Sequence, residues 1–365
     1  MSTLFFFLPL LVVFTVVAVY AERKLSAFIQ DRYGPMEVGY FGMLQTIADL
    51  LKLIQKEDIV PAAASRKMFL VAPFIIFSAV FLGFSVLPVT SDWSGASIST
   101  GVFFLLAIIS VDVIGIIMAG WASNNKYAIL GAVRSAAQII SYEIPLTLSV
   151  VCVLVVTQTL DLQNISYQQG ILVSLADPDH KVYLFGVKAL GWDVTDVGGI
   201  LSWNIVQVPF LIPVWIIFFI ATLAEGNRAP FDLPEAESEL VSGFHTEYSG
   251  FRWAIIMLSE YGMMLLTSVL GVVLFFGSWN TPLPNVGSLV LAEWTTGLPG
   301  TSLGNFWTAF WLISKSLMIV TLQMWVRWTY PRVRLDQLMT LGWKYLTPIA
   351  LILLFICSAW RLLMI

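Results

Sequence analysis

The sequence predicts an all-α polytopic membrane protein with about eight transmembrane helices and an amphipathic surface helix in the first inner loop. Hydrophobic residues make up 58% of the 365 positions and charged residues only 12%, whereas a soluble protein carries roughly 25% charged residues. Apolar segments long enough to cross about 30 Å of hydrocarbon recur along the chain. We expect one membrane domain over residues 1–365. The expected spans are residues 3–21, 68–88, 101–121, 136–157, 200–222, 253–276, 305–326 and 344–364.

The distribution of lysines and arginines predicts the orientation of these spans. If the N-terminus lies outside, 15 of the 19 basic residues fall in inner loops. Cytoplasmic loops of membrane proteins are enriched in Lys and Arg. We therefore expect both termini on the outer side and the first inner loop, residues 22–67, on the cytoplasmic side.

An amphipathic helix is predicted inside the first inner loop, from Met43 to Glu57. Its apolar positions recur at helical spacing, while its charged positions point elsewhere. Such a helix lies on the membrane surface or packs against a partner protein, and the sequence favours neither alternative. The apolar stripe comprises Leu44, Ile47, Leu50, Leu51 and Ile54.

The inner loop of residues 224–252 is unusually acidic for a connection between two spanning helices. Glu235 and Glu239 stand four apart, where like charges on a helix repel each other. Such crowding indicates shared protons or cationic partners, and the alternative is a solvated acidic linker. The six carboxylates belong to Glu225, Asp232, Glu235, Glu237, Glu239 and Glu247.

Four ionisable residues fall inside the predicted spans, namely Asp112, Glu143, Glu260 and Lys315. Each costs about 2.5–3.5 kcal/mol near the middle of the bilayer, so each needs a partner or a function. Titratable groups that run from an acidic loop into the membrane are typical of a proton relay. The alternative is a neutral or paired residue that only fixes helix packing, which we favour for Asp112. His245 either relays protons or holds the loop.

Several classes of function are excluded by the sequence. The net charge of −4 and the lack of a basic tract argue against nucleic-acid binding. No phosphate-binding glycine motif occurs. Cys152 and Cys357 stand far apart in apolar runs, and His180 has no neighbouring ligand residue, so no metal site is predicted. We expect this chain to hold no redox cofactor.

Four blocks of the sequence resemble subunit 1, also called the H subunit, of respiratory complex I, the NADH:quinone oxidoreductase. They occur in order across the chain and are far more specific than any short motif. The blocks are Ala21–Asp58, Gly120–Glu143, Ala224–Gly250 and Tyr330–Pro348.

The resemblance implies a membrane subunit that forms the quinone chamber and couples quinone reduction to proton translocation. Ubiquinone or menaquinone would be its substrate, while FMN and iron–sulfur clusters would belong to partner subunits that dock on the inner loops. Small membrane subunits and lipids would surround it in a bacterial plasma membrane.

The family's functional positions transfer to two groups of residues, but Asp112 does not coincide with a family position. The quinone passage would involve Glu22, Arg23, Gln30, Arg32, Asp49, Lys52, Phe231, Arg332 and Arg334. An acidic funnel for protons would comprise Glu143, Glu225, Asp232, Glu235, Glu237, Glu239, Glu247 and Glu260.

Two alternative functions remain open at this point. One is the equivalent subunit of a membrane-bound hydrogenase or ferredoxin:quinone oxidoreductase, which shares the relay logic. The other is a secondary transporter, which would show inverted repeats and broken helices at matching positions. No internal repeat is apparent in the sequence.

Overall fold

The structure, a computed structural model, describes residues 2–173, 181–188, 191–234, 237–285, 289–297 and 299–364. Within these ranges the chain is helical, with isolated bridges in place of strands, which confirms the all-α membrane fold. The α-helices are α1 (Ser2–Ile29), α2 (Gln45–Gln55), α3 (Arg66–Phe84), α4 (Gly101–Ile109), α5 (Val111–Ala122), α6 (Lys126–Thr157), α7 (Leu162–Tyr167), α8 (Asn204–Gln207), α9 (Leu211–Glu225), α10 (Glu237–Leu240), α11 (Gly250–Phe275), α12 (Leu291–Thr296), α13 (Ser302–Thr329), α14 (Leu335–Thr340) and α15 (Thr347–Met364).

Seven spanning helices are long and apolar enough to cross a bilayer within the described part of the chain, and an eighth is shorter than predicted. The span expected at 200–222 is helical only from Leu211 to Glu225, about 22 Å at 1.5 Å per residue. Val208 is extended because the following Pro209 disfavours a helical conformation. The seven long spans are Phe6–Ile29, Arg66–Phe84, Gly101–Ala122, Lys126–Thr157, Gly250–Phe275, Ser302–Thr329 and Leu335–Leu363.

Two helices extend further toward the inner side than predicted. Helix α1 continues to Ile29, so the residues from Glu22 onward are helical, although hydropathy assigns them to the first inner loop. Helix α6 begins at Lys126, where the Asn125 side chain accepts a hydrogen bond from the Tyr127 amide. Charged residues interrupt the hydropathy of both segments, but Glu, Lys and Arg are good helix formers. Charged side chains are thereby held on rigid helix ends.

The third span is interrupted at Ser110, between α4 and α5. The Ser110 hydroxyl donates to the Leu106 carbonyl at 3.0 Å, a back-bond that bends helices. The sequence predicts one uninterrupted span here. The interruption places a polar group at mid-membrane, two residues before Asp112.

Helix α11 is the centre of the bundle. Of its most apolar stretch 83% is buried, compared with 22% in the first and the last of the long spans. The main core joins it to α1, α6, α9 and α13, and a smaller core around Phe69, Ile116 and Phe244 lies toward the inner loops. A residue on α11 therefore reaches more neighbours than a residue on any peripheral helix.

At the outer end, Lys315 of α13 has a structural environment. Its ammonium group donates to the carbonyls of Phe276 and Asn280 at 2.7 and 2.9 Å. It also lies 4.8 Å from the centre of the Trp203 ring. These contacts neutralise the exposed carbonyl dipoles at the C-terminus of α11.

We expect the close contact between α6 and the acidic loop to tolerate no added methyl group at Gly131. A Cβ atom there would lie 2.7 Å from the Gly243 Cα atom and 3.0 Å from the Phe244 amide nitrogen. Gly131→Ala should lower the free energy of unfolding by about 1–3 kcal/mol through overpacking. Thermal unfolding of the purified protein measures this.

Gly342→Ala is the matched control, because its nearest neighbour would be Tyr142 at an ordinary 3.5 Å. Equal thermal stability of the two variants would contradict the packing assigned to α6.

Candidate functional site

The acidic loop is attached to the surrounding elements by charged and polar contacts. Several of its side chains are buried, including Glu225, Arg228, Asp232 and His245, so it is not a solvated linker. The contacts of its ends and surface are Asp232 with Arg332 at 2.9 Å, Glu239 with Arg134 at 2.7 Å, Glu247 with Asn125 at 2.7 Å, and Arg252 with Asp58 at 2.7 Å.

Glu22, at the inner end of α1, lies in a buried cluster of charged and aromatic groups. Its carboxylate accepts hydrogen bonds from Tyr261 at 2.6 Å and from Arg327. Arg228 of the acidic loop lies 3.7 Å from the same carboxylate and 4.2 Å from the centre of the Tyr261 ring. One carboxylate thus joins α1, α11, α13 and the acidic loop.

A small cavity lies between α3, α5, α9 and α11, just inside the acidic loop. About 10 Å³ of it is open to the centre of a water molecule, which is near the minimum for one bound water. Three carboxylates line it, from Asp112, Glu225 and Glu260. We call it the acidic cavity. Its other polar lining residues are Asn227 and Ser259.

Glu143 lies on α6 beside this cavity. Its carboxylate accepts a hydrogen bond from the Ser110 hydroxyl. Both Glu143 and Asp112 act electrostatically on Glu225. The structure therefore brings together Glu143, Glu225 and Glu260, three of the predicted funnel residues, around one point.

His245 approaches the cavity from the acidic loop. Its Nε2 atom lies 3.4 Å from Glu260 Oε1, so its partner is Glu260 and not the nearby Glu247. Tyr248 stacks on Phe69 at 4.1 Å between ring centres. Burial raises the pKa of the Tyr248 phenol, and Arg252 offsets this only in part. Tyr248 is therefore a neutral structural group and carries no proton.

The other predicted funnel residues lie apart from the cavity. The side chains of Glu239 and Glu247 sit toward the surface, and Asp232 faces Arg332. Glu235 falls outside the described residues. Glu237 begins α10, but its side chain is not described.

The residues predicted for the quinone passage divide into an exposed and a buried set. Arg23 and Asp49 form an ion pair at 2.6 Å that links α1 to α2, and Arg32 donates to Gln30 at 2.7 Å. Lys52, Arg332 and Arg334 are exposed. Glu22 belongs to the buried cluster, and Phe231 lies in the core, 5.3 Å from Tyr142 between ring centres.

Large apolar side chains around the first inner loop are exposed. Phe28, Tyr33 and Tyr40 are each at least 80% exposed. Helix α2 forms where the amphipathic helix was predicted, and four of its five stripe residues are exposed, namely Leu44, Ile47, Leu51 and Ile54. This face of the chain is suited to contact with lipid, a partner or an apolar substrate.

Four polar residues of these clusters received no role from the sequence. Asp112 stood out as a charge in an apolar span, but nothing indicated which residues would surround it. Tyr261 and Arg327 contact Glu22 across more than 200 positions, and Ser110 contacts Glu143 from another helix. No local pattern encodes such distant pairs.

Among the described residues, no group of three or more His, Cys, Asp or Glu side chains is arranged to hold a metal ion. The arrangement instead suits proton exchange, since carboxylates, a hydroxyl and an imidazole lie within a few helices of one another. Cys152 and Cys357 are free thiols in the core.

Comparison with known proteins identifies relatives over almost the whole chain. The NADH dehydrogenase family model matches residues 1–358. The second H subunit of the NADH-quinone oxidoreductase of Cytophaga hutchinsonii is 58% identical over 360 residues, covering 99% of this chain and 98% of the relative. The H subunits of the NADH-quinone oxidoreductases of Chlorobium luteolum and a Geobacillus species are 47% and 42% identical, covering 94% and 97% of this chain and 84% and 93% of their own lengths.

We expect the buried cluster around Glu22 to be essential for stability. Glu22→Ala would leave Arg228 and Arg327 without this carboxylate, and breaking a buried pair costs about 3–5 kcal/mol. Glu22→Gln, which can still accept from Tyr261, should be less harmful. Thermal unfolding in detergent measures both effects.

Asp193→Ala serves as the control, because its pair with Lys181 is exposed and 3.8 Å long, and exposed pairs contribute at most about 1 kcal/mol. If Glu22→Ala were no more destabilising than Asp193→Ala, the cluster would not hold these helices together.

Proposed function

We propose that this chain, which belongs to the NADH dehydrogenase family, is the membrane subunit of an NADH-quinone oxidoreductase that forms the quinone chamber and transmits quinone reduction to protons. The observation that carries the proposal is a connection between the two candidate sites. Glu22, one residue before Arg23 of the exposed set, contacts Arg228. Arg228 stands three residues after Glu225 of the acidic cavity.

The inner end of α1 and helix α2 supply features that a quinone requires. A quinone has a polar head and an apolar tail, so its path needs donors beside exposed apolar surface. Arg23, Asp49 and Lys52 are exposed polar groups there, and the exposed aromatic residues Phe28, Tyr33 and Tyr40 surround them. Partner subunits docked on the inner loops would cover this surface.

Reduction of a quinone changes charge next to the chain, and carboxylates respond to charge over short distances. A new negative charge about 4 Å from a carboxylate is worth about 4 kcal/mol at an effective dielectric constant near 20. That energy corresponds to about a thousandfold change in a protonation equilibrium. Glu22 and its arginines are placed to receive this change, and the carboxylates of the cavity are placed to respond by gaining or losing protons.

The proposed setting is a bacterial plasma membrane with both termini on the outer side and the inner loops facing the cytoplasm. The chain would act as one membrane domain. Partner subunits would carry FMN and the iron–sulfur clusters, and small membrane subunits would flank it. The distribution of basic residues supports this orientation.

The names of the relatives favour this function over the alternatives. They are subunits of NADH-quinone oxidoreductases and match from end to end, which a secondary transporter would not be expected to do. A hydrogenase-type complex would use the same relay, so copurification of NADH-oxidising or hydrogen-oxidising partner subunits distinguishes the two.

Glu143→Gln should reduce quinone-coupled turnover and proton translocation by at least about tenfold, a modest fraction of what a lost proton-transfer group usually costs. Glutamine keeps an acceptor for Ser110, so assembly should stay near normal. Proton uptake and quinone reduction by the assembled complex in proteoliposomes measure the effect.

Glu293→Gln is the control, since Glu293 is exposed on the short helix α12 and has no role in the proposal. Normal proton translocation in Glu143→Gln would refute the relay.

Arg23→Ala should raise the apparent KM for quinone several-fold while leaving the iron–sulfur reduction of the complex unchanged. The substitution removes the ion pair that positions α2 against α1. Steady-state kinetics with a short-chain quinone measure it. Lys181→Ala removes a cation from the exposed Lys181–Asp193 pair and should have no effect. An unchanged KM in Arg23→Ala would remove this residue from the quinone passage.

A further inference from the structure

We propose that Asp112 is a proton-carrying residue of this chain, which exchanges a proton with Glu225 through one water molecule bound in the acidic cavity. The inference rests on the proposed coupling function and extends it to a residue outside the family's acidic positions. It adds a branch of the relay on α5, deeper in the membrane than the acidic loop.

The first argument is the state of the two side chains. Asp112 and Glu225 are 7% and 3% exposed, and both line the cavity. Asp112 Oδ1 and Glu225 Oε2 are buried without a hydrogen-bond partner among the described residues. Native proteins satisfy almost all buried polar atoms with protein or water. A water between these two oxygens satisfies both.

The second argument is the size of the cavity. About 10 Å³ open to a water centre admits one water molecule and nothing larger. A bound water needs two to four polar partners, and the lining offers the carboxylates together with Ser259 and Asn227. An apolar ligand is therefore excluded by both volume and polarity.

The third argument is the balance of charge. The described lining contains three carboxylates and no Lys, Arg or His. Carboxylates that share a site of low dielectric do not all ionise, so the group retains at least one proton. The titratable groups that face it are Glu143 from α6 and His245 from the acidic loop, while α3 contributes Ile76 to the lining.

The fourth argument is position. Asp112 lies two residues after Ser110, which hydrogen-bonds to Glu143. It is ten residues from the inner end of α5, about 15 Å into the membrane at 1.5 Å per residue. Asp112 therefore lies between the acidic loop and mid-membrane, where a relay toward further membrane subunits has to pass.

The transfer itself is balanced. The protonated carboxyl of Asp112 gives its proton to the water, and the water gives one of its own protons to the Glu225 carboxylate. Asp112 becomes the anion and Glu225 the neutral acid, while the water is regenerated. No oxidant or other reactant is needed.

The test compares Asp112→Asn, Asp112→Glu and the control Asp196→Asn in the assembled complex in proteoliposomes. Asparagine mimics a carboxyl that always stays protonated, so a purely structural Asp112 predicts wild-type behaviour for Asp112→Asn. A proton carrier predicts at least about tenfold lower coupled turnover and a changed pH profile. Asp112→Glu should recover most of the activity. Asp196 is exposed on the outer side, and its variant should match wild type.

Infrared difference spectra recorded on quinone reduction provide a second readout. A carbonyl band of a protonated carboxylic acid should be present in the wild type, absent in Asp112→Asn and shifted in Asp112→Glu. If Asp112→Asn fails to assemble, the Glu variant decides: a shifted band with retained turnover supports the proposal, and an unshifted band overturns it.

Parallel measurement of Glu143→Gln separates the two levels of the argument. Impaired coupling in Glu143→Gln together with wild-type turnover, pH profile and spectra in Asp112→Asn overturns the role of Asp112 alone. Wild-type coupling in both variants overturns the relay itself.

Discussion

Charged groups removed from water need partners, and this requirement determines the inner half of the structure. An isolated ionised side chain in a medium of low dielectric is costly, while a paired one is tolerated. Glu22 is therefore surrounded by Tyr261, Arg228 and Arg327. Because these partners come from different elements, satisfying one carboxylate brings α1, α11, α13 and the acidic loop together.

The same requirement explains why the acidic loop is compact and attached on several sides. Its carboxylates meet basic or amide groups from α6 and from the segment after α13, as in the pairs of Asp232 with Arg332 and Glu239 with Arg134. The close approach of Gly131 to Gly243 lets the loop pack against α6. The loop thus serves as a rigid lid on the acidic cavity.

The cavity differs from the Glu22 cluster in one respect that matters for function. Around Glu22 each carboxylate oxygen meets a donor, so its charge is fixed. In the cavity, Asp112 Oδ1 and Glu225 Oε2 have no protein donor in the described structure, so their protonation is free to change. A fixed charge beside a variable one is an arrangement that converts an electrostatic change into proton movement.

The sequence by itself determined the membrane class, seven of the spans, the amphipathic helix α2 and the family, because hydropathy and motif order are local properties of the chain. It also marked Asp112, Glu143 and Glu260 as charges needing an explanation. Only the tertiary structure decided that Glu143, Glu225, Glu260 and Asp112 meet around one cavity, that Glu22 is buried, and that the fifth span is short. The partners of a buried charge lie up to some 300 positions away, and helix packing, which no local pattern specifies, brings them together.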